Sequence, residues 1–172
     1  MTEGLDVSRL SPSDSVAALR SYPRRFKALL TSLDEDEHPD DLVHRAGPDG
    51  LSAVDHADHG ARAVAVLGEA MRQVLVQDEP TLLPAVGDDS AREWEMAAQP
   101  ASVDAALDFL DVECNAMADA VERTPADDWT RTGTVAGSGR TMSAIDILRE
   151  AVRTGSDHLH AAERAIEAAK RA

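Results

Sequence analysis

The sequence predicts an all-α fold: an antiparallel four-helix bundle with a long connection between its second and third helices and a small ribbon or loop before the fourth. Three observations carry this. Four stretches, Pro12–Leu33, Ser52–Gln77, Ser102–Glu122 and Ser143–Lys170, repeat apolar residues at spacings of three and four, the stripe of a helix that faces a core. Ser11, Ser52 and Ser102 stand ahead of the first three as N-caps. No stretch alternates with the period of a strand to any weight, and there is neither an internal repeat nor a heptad run long enough for an extended coiled coil.

The elements follow in order. Met1 to Leu10 reads as a loose arm. Ser11-Pro12 opens the first helix, and Pro23 inside it should kink or split it because proline removes a backbone donor. Asp34 to Pro48 is an acidic, turn-rich connection with one short turn around Asp41 to Arg45. The central helix carries Val54, Ala57, Ala61, Val64, Gly68, Met71 and Leu75 on one face and Asp55, Asp58, Arg62, Glu69 and Gln73 on the other. His56 lies at the boundary nearer the apolar side, His59 nearer the polar side. Asp78 to Pro100 is too long for a plain loop and should lie over an end of the bundle, with Trp94 as its anchor. The third helix bears Val103, Leu107, Leu110, Cys114, Met117 and Val121. Trp129 plugs an end of the bundle, and the Gly/Thr-rich segment Thr130 to Arg140 reads as a loop or small ribbon. In the last helix Gly155 costs about 1 kcal/mol against alanine, which predicts either close packing or a kink beside a site.

At 172 residues the chain fits one domain, residues 1–172, with a sizeable core. Its 32 acidic against 17 basic residues give a formal net charge of −15, which disfavours a nucleic-acid partner, and the 3% aromatic content supplies no base-stacking platform. No apolar run approaches membrane-spanning length and no leader is evident, so the expectation is a soluble, cytoplasmic protein with no membrane partner. A single cysteine, Cys114, on the core stripe beside Glu113, reads as structural. The candidate chemistry lies in Asp55, His56, Asp58 and His59 on one helix and Asp157, His158 and His160 on another, because bundles build sites from facing helices. Asp55 and His59, four apart, could clamp an ion; Arg153/Asp157 and Thr154/His158 are not matched ligand pairs. The plain alternative is a set of histidines at the core boundary, satisfied by carboxylates.

Four segments in this order resemble the DinB-like superfamily. Leu51-Ser52-Ala53-Val54-Asp55-His56-Ala57-Asp58-His59 resembles its Trp-Ser…His opening of the second helix, and Val76 to Thr81 its acidic exit. Pro125 to Gly133 resembles an Asp-Trp-x-Arg-x-Gly segment, and Val152 to Leu159 the ligand-bearing segment of the fourth helix. The resemblance covers roughly Ser15 to Ala168 and implies a relation to metal-dependent small-thiol S-transferases, including the N-terminal domain of mycothiol-dependent maleylpyruvate isomerase. It puts the second-helix ligand at His59 and the fourth-helix pair at Arg153 and Asp157 or, one residue on, at Thr154 and His158. Leu51 stands where the family has tryptophan. Neither register supplies two histidines, and a guanidinium cannot bind a cation, so no tightly bound metal is expected.

If zinc or nickel is held, the resemblance assigns it to His59, Asp157 and His158, with His56 as a further ligand or base and a small thiol such as mycothiol as cosubstrate. The alternative is a metal-free small-molecule-binding or interaction protein in which Arg153, Asp157 and His59 form a polar cluster. Either way the candidate binding residues are His56, His59, Arg153, Asp157 and His158. His160 lies nearly opposite His158 on the helix. A second copy of the chain as partner is left open.

Overall fold

The computed structural model describes residues 5–31, 39–95 and 102–172. Four long helices form the expected bundle: α1 (Pro12–Thr31), α3 (Ala53–Val76), α6 (Val103–Glu122) and α7 (Ala144–Arg171). A short α2 (Pro39–His44) lies between the first two. The predicted end of the first helix at Ser32 and Leu33 lies outside the described residues, as do Met1–Gly4 and the end of the excursion near Pro100.

Helix starts follow the serines. Ser52 accepts from Asp55 N at 3.1 Å while Asp55 Oδ2 accepts from Ser52 N at 2.9 Å, a reciprocal capping box that satisfies two otherwise orphaned donors. Ser143 and Asp146 repeat the arrangement at the head of α7. The expected split at Pro23 does not occur, and α1 runs through it as one helix. Leu19, Tyr22 and Phe26, on either side of the proline, are all buried, and each contributes about 1.5–3 kcal/mol, enough to offset the lost bond.

Each long helix packs on two others. α3 lies between α6 and α7, and α1 lies between the same two on the opposite side. Pro12, Ser13 and Val16 share a surface recess with Val121 and Glu122, and Arg24 and Lys27 share another with Asp104 and Asp108, so α1 runs antiparallel to α6. α3 is antiparallel to α7, with His56 against His158 at one end and Val74 near the chain that leads into α7 at the other. α3 and α6 run the same way, as Arg62 stacks on Phe109 and Gly68 lies against Met117. The chain therefore crosses the bundle diagonally between α1 and α3.

The core holds Leu67, Met71, Leu110, Cys114, Met117, Ile147, Leu148 and Val152, all essentially inaccessible. The third-helix stripe is buried from Leu110 to Val121, with Val103 and Leu107 half-buried at its start. Gly155 reflects close packing rather than a kink: a Cβ there would meet Cε2 of Tyr22 at 2.6 Å. Asp58, placed by periodicity on the solvent side, is buried because Arg62 one turn on covers and bonds it at 2.7 Å.

The excursion after α3 is more ordered than a loop. It contains a two-residue strand β1 (Thr81–Leu82), α4 (Pro84–Gly87) and α5 (Asp89–Glu95). β1 pairs parallel to β2 (Thr132–Val135), which pairs antiparallel to β3 (Thr141–Ser143), extending the predicted ribbon by one strand. The Asp-Trp-x-Arg-x-Gly segment has a structural explanation. Trp129 packs half-buried against the core, and Arg131 donates to Val74 O and Gln77 O, each at 3.0 Å, capping the end of α3. Gly133 admits the Pro80 carbonyl, which a Cβ would meet at 3.0 Å. Trp94 belongs to α5, but its side chain lies outside what is described. The N-terminal arm is docked rather than loose over its described part: Val7 and Leu10 pack against the core and Arg149 donates twice to Leu10 O. Among the described residues no helix is long and apolar enough to cross a membrane.

Candidate functional site

The first turns of α3 and the middle of α7 face each other, with α5 above them, around a cavity of about 230 Å³. Because the Ser52 capping box fixes the start of α3, His56 is set one turn in, facing α7. There its Nδ1 lies 3.2 Å from Nδ1 of His158. On its other side, Nε2 of His56 is 3.1 Å from Oδ2 of Asp49, in the turn before α3. That contact is close but out of line for a hydrogen bond, so among the described residues Nε2 has no directional partner.

The tautomers follow from these neighbours. Two facing Nδ1 atoms require one donor and one acceptor. If His56 donated from Nδ1, its bare Nε2 would face a carboxylate. His56 therefore carries its hydrogen on Nε2, towards Asp49, and accepts from His158, whose Nε2 is left as a lone-pair site. Burial holds the His56 ring below the ordinary histidine pKa against the opposing pull of Asp49. Burial, reinforced by His56 and His59, pushes His158 down to about 3. For Asp49, burial acts upward, but the Leu51 N–H and His56 outweigh it and its pKa is lowered. Near neutral pH the line is a carboxylate and two neutral imidazoles.

The opposite wall is a cluster of two arginines and three acids. Arg153 donates from Nε to Glu150 at 3.0 Å, from Nη1 to Asp157 at 2.6 Å, and from Nη2 to Glu150 and Asp89 at 2.6 and 3.0 Å. Arg92, on α5, is 2% exposed. It donates to the carbonyls of Ala85 and Val86 at 2.7 and 3.1 Å, to Glu150 at 2.7 Å, and to Asp89. Burial raises the Glu150 and Asp89 carboxyls, but the guanidiniums around them win and both lie below the usual range. The hydrogen bond from Arg153 to Glu150, with the neighbouring carboxylates, raises the guanidinium's own pKa further.

Of the sequence-predicted residues, His56, Arg153, Asp157 and His158 line one cavity. The Arg153–Asp157 ion pair is the one their four-residue spacing predicts. His59 is the displaced member. Its ring is edge-on to His158 with centroids 6.1 Å apart, but it does not line the cavity, and its buried Nδ1 has no partner among the described residues. The polar cluster expected around His59 forms without it, and His56 takes the inward place. Sequence reading missed Asp49, Asp89, Arg92 and Glu150. The spacing of Glu150, Arg153 and Asp157 at three and four residues was the available signal on α7. Nothing local could place Arg92 beside them.

The donor set does not fit the metal ion that the resemblance implies. The imidazoles have suitable chemistry, neutral and gathered between facing helices. Yet only His56 and His158 meet, and no three His, Cys, Asp or Glu side chains among the described residues converge on one point. Asp157, the carboxylate assigned to the set, is held by a guanidinium instead.

No family model matches the chain, and no curated protein matches it. Solved structures do. YfiT from Bacillus subtilis, described as a probable metal-dependent hydrolase with an unusual four-helix bundle topology, superposes with a TM-score of 0.72 at 13% identity, over 99% of this chain and 93% of that one. Mycothiol-dependent maleylpyruvate isomerase superposes with a TM-score of 0.65 at 19% identity, and a mutant of it with 0.67 at 18%. In both cases 93% of this chain is covered, and the chain spans 64% of the isomerase's length. At these identities the likeness shows the fold, a four-helix bundle shared with YfiT and with part of the isomerase.

Proposed function

We propose that this DinB-like bundle binds a small molecule in the cleft between α3 and α7 and does so without a resident metal ion. The observation that supports it is the position of Arg153. Its guanidinium, bonded to Glu150, Asp157 and Asp89, occupies the wall where a second and third ligand would have to stand. That guanidinium has no lone pair to offer an ion, and by holding Asp157 it takes away the carboxylate that could. The cavity is smaller than the roughly 300–1,000 Å³ of sites for drug-sized ligands, which points to a small metabolite. The Asp49–His56–His158 line orients the lone pair of His158 Nε2 as a hydrogen-bond acceptor for it.

A second reading keeps the chemistry of metal-dependent thiol transfer, and one observation favours it. His56, His59 and His158 gather within ring-centroid distances of 5.5 and 6.1 Å, and two of their ring nitrogens are buried without partners among the described residues. Elemental analysis of protein purified without a metal-affinity tag separates the two. The metal-free reading expects zinc and nickel far below stoichiometric amounts. About one equivalent per chain, absent from His158→Ala, would replace it with the transferase reading.

A further inference from the structure

On the side of the bundle away from the cleft, α1 and α6 lie side by side with an open groove between them. At one end Arg20 closes the seam, donating to Asp119 and Glu122 at 2.8 Å each. Further along, Arg24 and Lys27 stand on one wall and Asp104 and Asp108 on the other, with Pro23 and Leu107 lining the groove. These four charged side chains are exposed, and none has a hydrogen bond or ion pair among the described residues. Two charges of each sign thus face outwards in parallel rows, close enough to share one groove and too far apart to pair across it. An occupant that answers both rows must carry both signs in the opposite order.

We infer that the groove takes a second copy of this chain, α1 of each copy lying on α6 of the other. A two-fold axis laid along the groove, parallel to the helices, exchanges α1 and α6 between the copies without shifting either along its length. Arg24 and Lys27 already share their level with Asp104 and Asp108, so the basic wall of each copy lands on the acidic wall of its partner, and the contact is made twice. Such complementarity fixes register and excludes other partners. Val112, four residues on from Asp108 and so on the same face of α6, is 61% exposed and adds apolar area there. Each helix is 20 residues, about 30 Å, and two side by side span about 20 Å, so full overlap covers about 600 Å² per copy. The total of about 1,200 Å² is at the lower end for a specific interface, which sets a weak dimer. The cleft between α3 and α7 stays open, and the inference is independent of what the cleft binds.

The test is the association state of the full chain by sedimentation equilibrium at about 0.15 M salt. There the Debye length is about 8 Å, so repulsion between two acidic molecules is largely screened and contacts at ion-pair distance are not. A dimer with a dissociation constant on the order of 10 micromolar is expected. Arg24→Glu/Lys27→Glu makes both walls acidic and Asp104→Lys/Asp108→Lys makes both basic, and each double variant should dimerise about tenfold or more weakly. Mixed together, the two should form a heterodimer about as tight as the wild type. The chain carrying all four changes keeps the wild-type net charge and should dimerise again by itself. A wild type that stays monomeric to about millimolar overturns the inference. So does a dimer that survives both reversals, or a pair of double variants that fail to associate on mixing.

Discussion

Arg92 holds the excursion to the bundle, and its replacement by methionine, similar in length and apolar, is expected to cost about 3 kcal/mol. The side chain is 2% exposed and makes bonds to two carbonyls of α4 and to carboxylates on α5 and α7. Breaking a buried ion pair by removing one partner costs about 3–5 kcal/mol when it strands the other charge. Glu150 is not stranded, because Arg153 still bonds both its oxygens at 3.0 and 2.6 Å. That places the expected cost at the low end of the range, with the abandoned carbonyls of Ala85 and Val86 adding about 1–3 kcal/mol unless water reaches them. For a chain of this size 1 kcal/mol moves Tm by about 2–4 °C, so a fall of about 6–12 °C is expected. Thermal and urea denaturation measure it, with Arg92→Met/Glu150→Gln as the partner variant. That double change should cost less than the sum of the singles, because the two side chains share a bond. A loss below about 1 kcal/mol would mean that the excursion is held by its apolar contacts alone, and the reasoning about this cluster would be wrong.

Three further outcomes follow from the same structure. Gly155→Ala should destabilise by about 1–3 kcal/mol despite the gain in helix propensity, because Tyr22, pinned through its hydroxyl to Val152 O at 2.7 Å, cannot retreat from the new methyl; an unchanged or raised Tm would contradict this. Stability should fall as pH drops below the ordinary histidine value of 6.5, because the unfolded state takes up a proton that His158, at about 3, refuses. Between pH 7.5 and 5 this one group is worth about 2 kcal/mol, with His56 acting in the same direction, and His158→Gln should flatten the profile; an equal slope in the variant would refute the assignment. Cys114, inaccessible and pushed up to about 12 first by burial and then by Asp111 and Glu113, should resist alkylation in native protein, and rapid labelling below the unfolding transition would refute its burial.

The long elements were legible because each depends on local spacing. Ser52, Ser102 and Ser143 mark helix starts, and the stripe from Leu110 to Val121 has only one way to be buried. Pro23 misled because the lost N–H is a local signal, whereas the burial that outweighs it is tertiary. β1 was invisible since two residues carry no period, and its partner β2 lies far along the chain, where Gly133 leaves room for the Pro80 carbonyl. In the site, α7 supplied the readable half, as Arg153 and Asp157 are four apart. The spacing on α3 already set His56 nearer the apolar side than His59, and the cavity follows that order; it was the resemblance that pointed to His59. Asp49 and Arg92 enter from a turn and a short helix that no periodicity positions.

We propose that the cleft works with a guanidinium where a metal ligand would stand. Direct titration of the untagged, chelator-treated protein with zinc and with nickel at neutral pH tests it most closely, with His56→Ala and His158→Ala alongside. The account predicts no saturable site tighter than about micromolar and no difference between the wild type and either variant. Binding of about one ion per chain that both variants abolish would contradict it, and would show that His56, His59 and His158 close around an ion despite Arg153.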